Sequence, residues 1–131
     1  MTLNMKKLFL VLVLCLCSLA SWAQDNYNFS AVAPTGQTLY YKREGSVVAV
    51  VHPNSDYMNP WNGYTQPTGS LTIPSSVTNG INTYPVTSID EYAFYECSGL
   101  TSVTIPNSVT TIGRLAFNNC FDLTGVSSPI R

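Results

Sequence analysis

Charge is scarce in this chain. Six Lys and Arg stand against seven Asp and Glu in 131 residues, and charged residues make up only 10% of the sequence. No basic patch exists, which argues against nucleic acid as a partner. Histidine is nearly missing: His52 is the only one, it ends an apolar run before Pro53, and it reads as an exposed strand-end residue. No Cys or His pair has ligand spacing, so no metal centre is expected. A thiol nucleophile would need a nearby base, and none accompanies Cys97 or Cys120. Asp90, Glu91 and Glu96 cluster near one turn, but paired carboxylates work only across a cleft at defined separation, so a solvated edge is the simpler reading. No catalytic residues, cofactor or enzyme activity are expected. Asn28-Phe29-Ser30 fits a glycosylation acceptor, a match that a bacterial source would make chance.

Long hydrophobic runs are also lacking, with one exception. Residues 8–19 form an apolar stretch behind Lys6 and Lys7, and Ser21-Trp22-Ala23 supplies small residues at a cleavage site. About a dozen residues fall short of the roughly 20 that span a bilayer as a helix. Residues 1–23 therefore read as a secretory signal peptide, with a retained anchor as the alternative. Leu14 and Leu16 precede Cys15 and Cys17, where a lipidation site wants a small residue. Residues 24–131 then form one small exported domain without a membrane span, secreted or associated with the cell surface. After cleavage Lys42, Arg43, Arg114 and Arg131 face the seven acids, leaving a neutral, hydroxyl-rich surface.

What the chain has is repetition. Ile89, Ala93, Phe94, Cys97, Leu100, Thr101 and Val103 recur as Ile112, Ala116, Phe117, Cys120, Leu123, Thr124 and Val126, each 23 residues on. That period lies within the roughly 20–29 residues of leucine-rich repeats. Val103 and Ile105 alternate with Thr104, so one strand face is apolar and the other hydroxylated. Pro106 stops the ladder because it has no N–H to give. Gly113 lets the chain turn, and Leu115, Ala116 and Phe117 suggest a helical turn. One coil alone leaves its apolar face exposed, whereas stacked coils bury it. Upstream, "SLTIPSSV" from Ser70 precedes "SVTIPNSV" from Ser102 by 32 residues, nine more than the repeat. The extra segment holds Asn79-Gly80, a strong hairpin-turn signal, and predicts a protruding hairpin. Cys97 and Cys120 occupy one repeat position; buried free thiols are favoured, and export leaves a disulfide open.

Residues 24–69 do not repeat. Two strands, 38–43 and 46–52, around Glu44-Gly45 predict an N-terminal capping hairpin, and 54–69, rich in Pro, Gly and Asn, reads as a loop with Tyr57, Trp61 and Tyr64. The solenoid takes residues 70–131. Its last repeat is incomplete, since Ser128 stands where Ile105 stood, and an uncapped, marginal C-terminal coil is expected. The fold expected is mainly β: a short leucine-rich-repeat solenoid of 23-residue repeats with an N-terminal β-hairpin cap.

The combination of Ile-Pro, Val-Thr-x-Ile, Ala-Phe and Cys-x-x-Leu at this spacing, from Ser70 to Val126, resembles the BspA-like leucine-rich repeats of bacterial surface and secreted proteins. The resemblance implies an adhesin-like protein-binding module that touches host matrix proteins or other bacterial surfaces. It supplies no catalytic positions. From the residues themselves, two contact surfaces are expected. One is the aromatic loop, Tyr57, Trp61 and Tyr64, with Trp61 alternatively closing the solenoid end against the cap. The other is the threonine face, Thr72, Thr101 and Thr104, which are also ordinary strand formers. A glycan-binding module and a truncated structural fragment of a longer repeat protein are the alternatives. End-to-end self-association through the uncapped last repeat is a further expectation.

Overall fold

The computed structural model describes residues 25–128. The expected signal peptide, residues 1–23, and the repeat of Pro106 at Pro129 lie outside them. The described residues hold nine strands and no helix: β1 (Phe29–Val32), β2 (Thr38–Glu44), β3 (Val47–Val51), β4 (Gly69–Thr72), β5 (Ser76–Asn79), β6 (Asn82–Ile89), β7 (Leu100–Thr104), β8 (Thr111–Ile112) and β9 (Gly125–Ser127).

Period-2 alternation builds two sheets that face one another. In one, β4, β7 and β9 run parallel, with Leu71, Val103 and Val126 in register. In the other, β3, β6 and β8 run parallel, with Val50, Ile89 and Ile112 in register. Short turns join the sheets and carry the aromatic residues. Phe94 stacks on Phe117 at 5.2 Å between ring centroids, and Trp61 stacks on Phe94 at 6.5 Å. Each rung of the solenoid is thus strand, aromatic turn, strand.

The rungs number three, where the sequence shows two and a cap. β3, the Trp61 turn and β4 form the first; β6, the Phe94 turn and β7 the second; β8, the Phe117 turn and β9 the third. Inter-rung hydrogen bonds repeat in step: Asp90 N–H donates to Val50 O at 2.8 Å, and Gly113 N–H to Ile89 O at 2.7 Å. The capping hairpin is real, since β2 pairs antiparallel with β3. β1 extends it to a meander, and β3 at its inner edge joins the parallel stack. The cap and the first rung are therefore one unit.

Both hairpins turn at glycine, one residue later than the sequence suggests. Glu44 pairs with Val47 and Asn79 with Asn82, so Gly45-Ser46 and Gly80-Ile81 are the central residues. Only the glycines have positive φ, +69° and +65°, the pattern of a type II′ turn rather than the type I′ expected for Asn-Gly.

The aromatic turns are not helical. Tyr92 and Glu96 in the second rung have φ near +60°, and Leu115 and Asn119 repeat them 23 residues on. These left-handed residues let successive turns hydrogen-bond in register: Phe94 N–H donates to Ala116 O, and Glu96 N–H to Asn118 O. Gly113 owes its identity to close approach. A Cβ there would lie 2.3 Å from the Glu91 backbone nitrogen.

The core lies between the sheets. Leu39, Tyr41, Leu71, Ile73, Val86, Ile89, Phe94, Leu100 and Val103 are buried. At the N-terminal end the outer edge of β4 is covered by side chains. Thr35 Oγ1 accepts from Thr72 N–H at 3.1 Å, and Gln37 Nε2 donates to Thr68 O and Ser70 O at 2.8 Å each. Such covering blunts an edge that would otherwise invite strand pairing. At the other end Ile112 and Val126 are 51% and 57% exposed, and Phe121 is 79% exposed.

Candidate functional site

The three aromatics of the 54–69 loop go to three different places. Trp61 is 4% exposed and belongs to the core, with Phe94 against its face and Tyr40 at its edge, 5.8 Å away. Its ring packs in the core beside the cap, in line with the reading of Trp61 as closing that end of the solenoid. Tyr64 is half-buried on the cap, its hydroxyl donating to Asp25 Oδ1 and its ring edge-on to Tyr40 at 5.4 Å. The Asp25 carboxylate raises the Tyr64 pKa, because ionising the phenol would break that bond. Tyr57 is the most exposed of the three, at 48%. It meets Tyr92 edge-on at 5.6 Å, and Tyr92 meets Tyr95 at 5.2 Å. A strip of three tyrosines therefore crosses the turns of the first two rungs, beside the exposed Met58. Tyr92 and Tyr95 carried no sequence signal of this role, because their partner Tyr57 lies in the non-repeating loop.

Outward positions of β4, β7 and β9 form two hydroxyl rows. Ser102 Oγ donates to Ser70 Oγ at 2.9 Å, and Ser127 Oγ donates to Thr104 Oγ1 at 3.4 Å. Thr101 and Thr104 are exposed, while Thr72 is half-covered where Thr35 caps its amide. Among the described residues, strands β4, β7 and β9 contain no charged side chain.

His52 is fully buried, which corrects its reading as exposed. Its Nδ1 lies 2.6 Å from Asn54 O and its Nε2 lies 3.4 Å from Asn26 Nδ2. A neutral ring protonated on Nδ1 satisfies both, donating to the carbonyl and accepting from the amide. Burial lowers its pKa, opposed by that carbonyl and by the Asp90 and Glu91 charges. His52 thus ties the start of the loop to the cap.

Cys97 and Cys120 are free thiols, the first buried and the second half-buried. Cys120 Sγ–H donates to Phe94 O at 3.0 Å. Burial raises both pKa values, so neither is a thiolate at neutral pH. Asp90 Oδ1 accepts from Glu91 N–H, and Glu96 lies on the following turn residues. Among the described residues no group of His, Cys, Asp and Glu could hold a metal ion, and no helix is long and apolar enough to cross a membrane.

Residues 70–130 match the profile of the BspA type Leucine rich repeat region (6 copies). Residues 70–130 are a BspA-type leucine-rich repeat region. The chain's likeness to solved structures agrees. A leucine-rich repeat protein from Bacteroides capillosus is 31% identical with a TM-score of 0.57, over 77% of this chain and 66% of that one. One from Bacteroides ovatus is 30% identical with a TM-score of 0.57, over 76% of this chain and 23% of that one. A leucine rich cell surface protein from Faecalibacterium prausnitzii is 25% identical with a TM-score of 0.57, over 79% of this chain and 24% of that one. The chain therefore spans less than two thirds of these relatives. No curated protein matches it.

Proposed function

We propose that this chain is a non-catalytic recognition module, exported and displayed at a bacterial surface, that holds a protein partner in the manner of an adhesin. The observation that carries this is the pairing of a hydroxyl-bearing strand face with the Tyr57–Tyr92–Tyr95 strip, exposed at Tyr57 and half-buried at Tyr92 and Tyr95. Tyrosines give rigid contact area at low entropic cost, and hydroxyls give weak contacts that add along a flat surface. The family supports a surface role, and the Faecalibacterium prausnitzii relative is itself a cell surface protein. Host matrix proteins and other bacterial surface proteins are the partners proposed.

The test is binding of the full chain to a panel of purified host matrix proteins. Tyr57→Ala and Thr104→Ala should each weaken saturable binding by about threefold to tenfold, with melting temperature unchanged. Equal affinity in both variants, or no saturable binding to any member, sinks the reading. A second contact is favoured by the exposed Ile112, Phe121 and Val126 of the third rung. Because the other end is capped, self-association there would be tail-to-tail and would close as a dimer. Light scattering that shows monomers at all concentrations would rule it out.

A further inference from the structure

A notch of about 230 Å³ opens between the 59–66 loop and the second-rung turn, and shares only Tyr95 with the protein-binding surfaces above. Asn59, Trp61, Asn62, Gln66, Tyr95 and Glu96 line it. Only the first rung has so long a turn, so the third rung builds no counterpart.

The lining selects its ligand by elimination. It contains no cation, so phosphate, sulfate and carboxylate groups find no counter-charge. It contains one carboxylate and no His or Cys, too little for a metal. Its walls are mostly polar side chains, which disfavours a lipid tail. What it offers is three amides and a carboxylate, groups that donate to and accept from neighbouring hydroxyls. Among the described residues the Asn62, Gln66 and Glu96 side chains have no partner, and Asn59 uses only its Nδ2, on Asp56. Tyr95 adds a half-buried ring face against which the apolar side of a sugar ring can lie.

An independent feature marks the same wall of the notch. The Trp61 indole N–H is buried and has no acceptor. Native structures rarely leave such a donor unpaired. The adjoining notch of about 280 Å³, which shares Gln66 and includes Thr65 and Thr68, holds the mirror case: Gln37 Oε1 is a buried acceptor without a donor. We propose that the first notch binds one neutral saccharide ring, whose hydroxyls pair with Glu96, Asn62 and Gln66 beside the Trp61 ring, and that the second notch takes a linked ring. The volume fits a single ring, being below the roughly 300–1,000 Å³ of pockets for drug-sized ligands.

The chain has two tryptophans, Trp22 and Trp61, so its two side-chain indole N–H resonances give a probe and an internal control. The ¹⁵N-labelled full chain is titrated with the methyl glycosides of glucose, galactose, mannose and N-acetylglucosamine, and with glucuronate. At least one neutral glycoside should shift the Trp61 resonance saturably and leave Trp22 in place, and glucuronate should bind more weakly than that glycoside because of Glu96. Glu96→Gln and Tyr95→Ala should each weaken the binding about tenfold, and Tyr57→Ala should leave it unchanged. Glu96 is exposed, so its variant stays folded if Tyr95→Ala does not. No Trp61 shift with any of the four glycosides, a Glu96→Gln variant that binds as the parent does, or tighter glucuronate binding would overturn the proposal. Because Tyr57 and Thr104 lie outside the notch, loss of matrix-protein binding in their variants fails or succeeds separately.

Discussion

The second and third rungs share a signature and differ in what it achieves. Ile89, Phe94, Cys97, Leu100 and Val103 are all within 1% of complete burial. Their counterparts Ile112 and Val126 are more than half exposed, and Phe117, Cys120 and Leu123 are half-buried. A repeat position dictates that a side chain points inward, but burial requires a rung on both sides. The second rung has the first and third as neighbours. Among the described residues nothing covers the outer side of the third.

The largest effect expected from this difference is at the aromatic stack. Phe94→Ala removes the middle ring and should cost about 3–5 kcal/mol, whereas Phe117→Ala should cost about half as much because its outer side is already open. Urea unfolding of the full chain measures both; equal losses would break the comparison. Trp61→Ala should resemble Phe94→Ala, since Trp61 is the matching ring of the first rung.

Glycines give the next contrast. Gly113→Ala drives a methyl group into the Glu91 backbone and should cost about 1–3 kcal/mol. At Gly125 the same change meets only Ser102 Cβ at 3.6 Å, an ordinary contact, and should be nearly neutral. Differential scanning calorimetry of the two variants would show one lowered melting temperature and one unchanged.

The smallest effect separates the ends by pH. His52 at the capped end has a folded-state pKa lowered below its ordinary 6.5. The unfolded chain therefore binds the proton first as pH falls. His52 contributes its full stabilisation above about pH 6.5, and that contribution fades as pH drops from there towards the folded-state value. His52→Gln, which keeps hydrogen-bonding capacity, should flatten that part of the stability–pH curve. An unchanged slope would mean that His52 is as free to protonate folded as unfolded.

The repeated part of the fold was legible because its spacing is constant. Ile89 to Phe94 and Ile112 to Phe117 are both five residues, and strand alternation placed Val103 and Ile105 inward. The first rung was hidden because Val50 to Trp61 is eleven residues, and tryptophan stands in place of phenylalanine. An inserted turn erases the period without changing the register of the strands it joins. The same insertion builds the polar notch, so the part of the chain that broke the pattern carries the candidate ligand site. His52 was misjudged because its partners, Asn26 and Asn54, are not recognisable until the cap closes around it. Tyr92 and Tyr95 became a surface strip only through left-handed turns, a conformation that non-glycine residues seldom disclose in sequence.

Hydrogen exchange at two equivalent amides tests the three-rung architecture most directly. Asp90 N–H bonds the first rung across Val50 O, and Gly113 N–H bonds the second across Ile89 O. If the cap and first rung are one cooperative unit with the core, Asp90 should exchange only through global unfolding, together with the amides of β3 and β6, while Gly113 exchanges faster by local opening of the third rung. Exchange of Asp90 and the β3 amides as fast as Gly113 would show that the cap is a separate hairpin lid, and would contradict the assignment of β3, Trp61 and β4 to a rung.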